Sequence, residues 1–296
     1  MADRALRDAV ADGRDTAALL AGLTTVTLWG SAFVGIRAAG RTLSPSSIAF
    51  GRLAVAAVAL SLIAAVRGEA LPPRRALVPT IVFGVLFLGA YSVTLNAAER
   101  HVDAGTSSMI VNTGPLLIAV LAGTFLGEGF PRRLLAGCLV ALAGCVLIGV
   151  STTTGTRPSA AGLVLLVLAT ILYAVAVIVQ RVALTRAVAF QVTWGGCIAA
   201  TLACLPFGPR FASQVASSGS SAFWTLYLGL MPTAVGFVTW SIALKRLDAG
   251  RAASLNYLIP VVAILLGWAY LHEAPSPLAV CGGALCLLGV YVARRR

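Results

Sequence analysis

Ten apolar runs follow one another along this 296-residue chain with little room between them. They lie near 16–36, 46–66, 76–97, 103–126, 133–151, 160–180, 188–206, 221–243, 249–271 and 277–293. Each is about 20 residues long, enough to cross a hydrocarbon layer of roughly 30 Å as a helix. The connections are too short to hold a folded domain outside a bilayer. Only 11% of residues are charged, against about 25% in a soluble domain, so the chain cannot cover a water-facing surface. These runs point to one fold class, an all-α polytopic membrane protein with ten transmembrane helices.

Residues 1–15 mix Asp and Arg and lack the apolar centre of a signal peptide. They are expected to form a short cytoplasmic N-terminal segment ahead of a retained first helix. The formal net charge of +12 taken alone suggests a nucleic-acid partner, but the distribution of charge argues against one. With the N-terminus inside, 16 of the 22 basic residues fall on the cytoplasmic side, five fall opposite, and Arg52 lies within a helix. That asymmetry sets orientation by the positive-inside rule. It predicts a multi-pass protein of the cell inner (plasma) membrane with both termini cytoplasmic. Loop 67–75 is then cytoplasmic and loop 151–159 external.

The chain also repeats itself. "DAGTSSMIVNTGP" starts at Asp103 and "DAGRAASLNYLIP" at Asp248, 145 residues later. Gly84 matches Gly229, Glu128 matches Glu273, and Gly137 and Gly144 match Gly282 and Gly289 at the same offset. Near the start, "TLWGSAFVGIR" (27–37) lies over "ILYAVAVIVQR" (171–181). Two five-helix units, 16–151 and 160–293, follow. Five crossings are odd, so the second unit enters the membrane upside down. Inverted repeats of this kind are a signature of secondary transporters, whose two halves exchange conformations.

"LWGSAFVGIR" in helix 1, Pro45 followed by Arg52 in helix 2, and Gly127-Glu128 ahead of a glycine-spaced helix resemble the drug/metabolite transporter superfamily, EamA type. The resemblance spans roughly 18–293. It implies an exporter with a central cavity formed mainly by helices 1, 3, 4, 6, 8 and 9. One departure is Ala32, where relatives often carry Asn after "WGS".

Several residues are candidates for the transport site. Pro115 and Pro260 sit halfway along helices 4 and 9, where each removes a backbone hydrogen bond and frees a carbonyl, that of Val111 or Asn256. In lipid such a carbonyl needs a protein or cavity partner, and Asn112 and Asn256 lie within one turn. These prolines are therefore expected as gates. Trp29, Tyr91, Tyr173, Trp240 and Tyr257 add aromatic faces suited to an amphipathic ligand. Arg52 is the one basic residue well inside an apolar run. At roughly 3 kcal/mol on insertion scales, it is either a structural anchor or an anion attractor, and the helix 2 and 7 pair is expected away from the cavity. No Asp or Glu lies deep in a span, which leaves Glu99, near the external end of helix 3, as the candidate for proton coupling. Neither His101 nor His272 has metal-ligand neighbours by spacing, and nothing calls for a cofactor or metal. The six Cys all fall in apolar runs, as small packing residues. The glycine-spaced helices 5 and 10 read as scaffold.

The function these features favour is a secondary-type transporter that exports small metabolites, such as amino acids, by alternating access. A channel or lipid scramblase is the alternative. A membrane-embedded enzyme lacks a nucleophile–base set. The sequence is compatible with a homo-oligomer and leaves substrate, direction and coupling open.

Overall fold

A backbone in hydrocarbon must satisfy its own polar groups, and a helix does so within one segment. The computed structural model describes residues 2–98, 101–102, 104–152, 159–216, 219–271 and 276–294, and every element among them is helical. The first half contains α1 (Ala2–Ala39), α2 (Pro45–Arg67), α3 (Arg74–Phe83), α4 (Ser92–Ala98), α5 (Ala104–Val111), α6 (Gly114–Phe125) and α7 (Arg132–Thr152). The second half contains α8 (Ala160–Leu184), α9 (Ala189–Ala203), α10 (Gly208–Ala216), α11 (Gly219–Leu228), α12 (Gly236–Arg246), α13 (Ala249–Ser254), α14 (Ile259–Leu271) and α15 (Pro277–Arg294).

Eight segments among the described residues are long and apolar enough to cross a membrane, or nine if a bent pair counts as one span. Within α1, Thr16–Ala32 is a shorter apolar stretch. The bent pair is α9 with Leu205–Ala216, which turn through 57° at Cys204. The apolar run 188–206 thus does not continue as one straight helix. Pro206 has no N–H to extend the ladder, and the amphipathic stretch that follows leaves the direction of the span.

Helix ends follow local chemistry. Ser44 caps α2 by accepting from the Ser47 N–H, with Pro45 at the first helical position. Gly68, in the left-handed conformation at φ 63°, closes the other end. This combination of N-cap, N1 proline and C-terminal glycine is the usual way to define both ends of a helix.

Breaks inside the spans matter more for function. The segment 74–98 contains a π-helical stretch, Gly84–Tyr91, and 219–246 contains another, Gly229–Val235. Residues 112–113 interrupt α5 and α6 just ahead of Pro115, and a 3₁₀ turn, Leu255–Leu258, joins α13 to α14 just ahead of Pro260. The two pairs of breaks sit at matching places in the two halves.

The scaffold is the α7–α15 pair. A Cβ on Gly144 would lie 2.5 Å from the Gly282 carbonyl, and one on Gly289 would lie 2.6 Å from that of Gly137. Backbone meets backbone here, so these helices come together only where side chains are absent. Cys145 and Cys286 face each other in the seam with their sulfurs 3.6 Å apart.

Candidate substrate site

Phe87 lies at the centre of a group of rings that draws on both halves of the chain. Its centroid is 5.1 Å from Tyr173, 5.2 Å from Phe237, 5.6 Å from Tyr91 and 6.2 Å from Trp29. Tyr91 and Tyr173 are themselves 5.7 Å apart, and Trp29 packs against Phe237 and Trp240 at 4.9 and 5.5 Å. Local structure places these rings. Phe87 and Tyr91 stand on the π-helical stretch 84–91, where the extra residue per turn re-aims side chains. Gly114 makes room for Tyr173, because a Cβ there would fall 2.6 Å from the ring.

Polar groups rim the cluster. The Trp29 indole donates to the Pro232 carbonyl at 3.0 Å, a carbonyl within the second π-helical stretch. Ser31 and Tyr227 share a 2.7 Å hydrogen bond farther out, where Tyr227 packs with Ala32 and Leu228. The Asn256 amide donates to the Tyr173 hydroxyl, while its own carbonyl oxygen is buried without a hydrogen-bond partner. Such an acceptor is costly to leave unmade, and it is the group a ligand N–H would satisfy.

The candidates read from the sequence separate into groups. Trp29, Tyr91, Tyr173 and Trp240 converge, but Trp240 is fully buried and its indole N–H is spent on Gln180 at 2.9 Å. Gln180 in turn donates to Ser241, and Ser241 bonds Thr193, so Trp240 anchors a closed polar chain behind the ring cluster. Tyr257 packs elsewhere, with Val26, Cys138, Cys145 and Cys286, and its hydroxyl lies toward the Leu116 backbone. Asn112 donates to the Ser108 carbonyl at 2.8 Å rather than to the carbonyl of Val111. Both prolines follow a helix break, and Pro115 is the more buried of the two. Glu99 lies outside the described residues. Phe83, Phe87 and Phe237, absent from the sequence-derived set, complete the cluster.

Arg52 is directed inward. Its Nε donates to Thr233 Oγ1 at 2.8 Å, and Thr233 donates onward to the Leu228 carbonyl at 2.7 Å. Among the described residues, the guanidinium's charge is felt by Cys197 and Tyr91. Because α9 packs both on α2 and on the π-helical stretch that carries Phe87 and Tyr91, the helix 2 and 7 contact adjoins the ring cluster instead of lying apart from it.

The model of the EamA-like transporter family matches the chain twice, over residues 16–150 and 160–295. The chain belongs to the EamA-like transporter family. Among its EamA relatives, a protein of Streptantibioticus cattleyicolor named a probable terminal-alkyne amino-acid exporter is 35% identical over 273 residues, 92% of this chain and 91% of the relative. The uncharacterized transporter YdfC of Bacillus subtilis is 29% identical over 271 residues, 90% of this chain and 87% of that one. A solved crystal structure with 23% identity superposes at a TM-score of 0.82, covering 94% of this chain and 96% of the other; at that identity the likeness concerns the fold.

In this EamA-like transporter the site's two edges differ. On the predicted cytoplasmic side, α6 packs against α13, and the Glu128 carboxylate accepts from the Ala249 N–H at 2.8 Å and the Gly250 N–H at 3.3 Å. Arg181 donates to the Leu244 carbonyl and Lys245 to that of Ala187 on the same side. Toward the other side α5 turns to α7 and α8, whereas α14 leans on α1. Among the described residues the broken helices of the two halves therefore meet at one end, while at the other α5 and α14 pack against different neighbours.

Proposed function

We propose that this chain is a secondary carrier that exports small amphipathic metabolites of the amino-acid class across the cytoplasmic membrane by alternating access. In this reading ten spanning helices form two inverted five-helix repeats and both termini are cytoplasmic. The work is transport and not catalysis, and neither cofactor nor nucleic acid takes part. The observation that carries it is the ring cluster around Phe87 with the unpartnered Asn256 oxygen beside it. It sits where helices of both halves lose regular backbone at matching positions. Ring faces suit an apolar side chain, and a lone acceptor suits an ammonium or amide N–H. The 35% identical relative's name favours amino acids as cargo. Convergence of α6 and α13 under the Glu128 cap supports a state closed toward the cytoplasm.

A ligand that binds only the folded protein raises its melting temperature. The test is a stabilisation screen of purified protein against amino acids, including L-phenylalanine and L-propargylglycine, alongside nucleosides and cationic drugs. Stabilisation by apolar amino acids supports the reading. Stabilisation confined to nucleosides or cations rejects it.

A further inference from the structure

An ionised guanidinium inside a membrane span is expensive and normally faces a partner or an aqueous cavity. Arg52 stands in the third turn of α2, yet no carboxylate among the described residues lies against it. The described acidic side chains, Glu69, Glu128 and Asp248, are all on predicted cytoplasmic connections. The only hydrogen bond of Arg52 among the described residues is through Nε to Thr233. Thr233, 1% exposed, is fixed in turn by the Leu228 carbonyl, so its oxygen is an oriented acceptor. Both terminal nitrogens are left over. Neither makes a hydrogen bond among the described residues, and Arg52 as a whole is only partly buried.

The repeat sharpens this point. The position matching Arg52 at an offset of 144 is Gly196, which packs against Gly84 and leaves room for nothing larger. At this matched pair of positions only the first half carries a charge, on a helix that packs against α9, which in turn packs against the π-helical stretch bearing Phe87 and Tyr91. A purely structural arginine would be expected to use its terminal nitrogens on carbonyls, as Arg181 and Arg186 do on the predicted cytoplasmic side.

We propose that Arg52, held by Thr233, is the anion subsite of the transport site and binds the cargo's carboxylate, so that the transported molecules are carboxylates with an apolar body. This rests on the carrier reading above. A planar guanidinium with two free N–H pairs matches a carboxylate geometrically. Tyr91, Phe87 and Tyr173 then offer ring faces to the apolar part.

The experiment compares each acid with its own carboxamide: L-phenylalanine with L-phenylalaninamide, and L-propargylglycine with its amide. Binding to purified full-length protein is read by calorimetry. The parent is expected to prefer the acid by about tenfold, the scale of one charge-assisted hydrogen-bonded pair. Arg52→Gln is expected to bring the ratio close to one. Thr233→Val, which frees Nε but keeps the charge, is expected to reduce the ratio without abolishing it. Because acid and amide are measured on the same preparation, partial misfolding of a variant cancels from the ratio. Equal binding of acid and amide by the parent, or a preference that survives Arg52→Gln, overturns the subsite while leaving the carrier reading intact. Binding of neither compound overturns the amino-acid reading and the subsite with it.

Discussion

The Tyr173 hydroxyl accepts a 2.5 Å hydrogen bond from the Asn256 amide, joining α8 to the 3₁₀ turn that breaks the span 249–266. Both residues are more than nine-tenths buried. Removing either partner strands the other, which costs about 1–3 kcal/mol for a buried polar group. Tyr173→Phe and Asn256→Ala should each weaken ligand binding several-fold. The double variant should be less affected than the sum of the two, with a coupling near 1 kcal/mol. Affinities of the four proteins in one double-mutant cycle check this, and strict additivity would mean the bond does not shape the site.

Glu128 closes the predicted cytoplasmic edge by capping α13, where a carboxylate also meets the positive end of the helix dipole. Loss of a helix cap costs typically about 1 kcal/mol. Glu128→Ala should therefore shift the protein several-fold away from the cytoplasm-closed arrangement. A cysteine at Ala253 in a Cys-free background, buried here, should then react faster with a thiol reagent applied from the cytoplasmic side. An unchanged rate would show that the cap stabilises only the local helix.

Pro115 and Pro260 follow equivalent breaks in the two halves. Replacing Pro260 with Ala allows α13 and α14 to run as one helix, and Pro115→Ala does the same for α5 and α6. Each should slow transport several-fold while ligand affinity stays within about twofold, because the change to Ala keeps the backbone carbonyl and removes no side-chain hydrogen-bonding group. Rate and affinity measured on the same preparations separate the effects. Parental rates in both variants would make the breaks packing features.

Scaffold and orientation are open to simpler checks. Gly289→Leu pushes a side chain into the backbone of α7 and should cost about 1–3 kcal/mol, as overpacking does. A lowered melting temperature in detergent is the readout. Single cysteines at Ala70 and Gly219, both exposed, should label differently in intact cells with an impermeant reagent, Gly219 strongly and Ala70 weakly. The reverse pattern would invert the orientation.

Much of this architecture can be read from hydropathy and from the 145-residue echo, because bilayer thickness and duplication both act over long windows of sequence. The convergence of Trp29 and Tyr173 was also accessible, since Trp and Tyr deep in a span are unusual, whereas Tyr91 stood out only as an aromatic among polar neighbours. Phe87 was not. A phenylalanine in an apolar run looks the same whether it faces lipid or a neighbouring ring. Trp240 and Tyr257 show the converse, as depth along a helix does not tell which face a side chain takes. The π-helical stretches left no signature beyond the matched Gly84 and Gly229. Glu128 stood out as half of a matched pair, but the N–H groups it caps lie 121 and 122 residues away, and contacts of that range have no periodicity to reveal them.

Counterflow tests the central claim most directly. Proteoliposomes containing the purified protein are loaded with unlabelled L-phenylalanine or L-propargylglycine and diluted into a trace of the labelled compound. A carrier that alternates around one site should show uptake that transiently overshoots equilibrium, saturates with internal substrate, and needs several-fold more substrate with Asn256→Ala. Uptake that rises to equilibrium without an overshoot and never saturates would contradict alternating access and describe a channel.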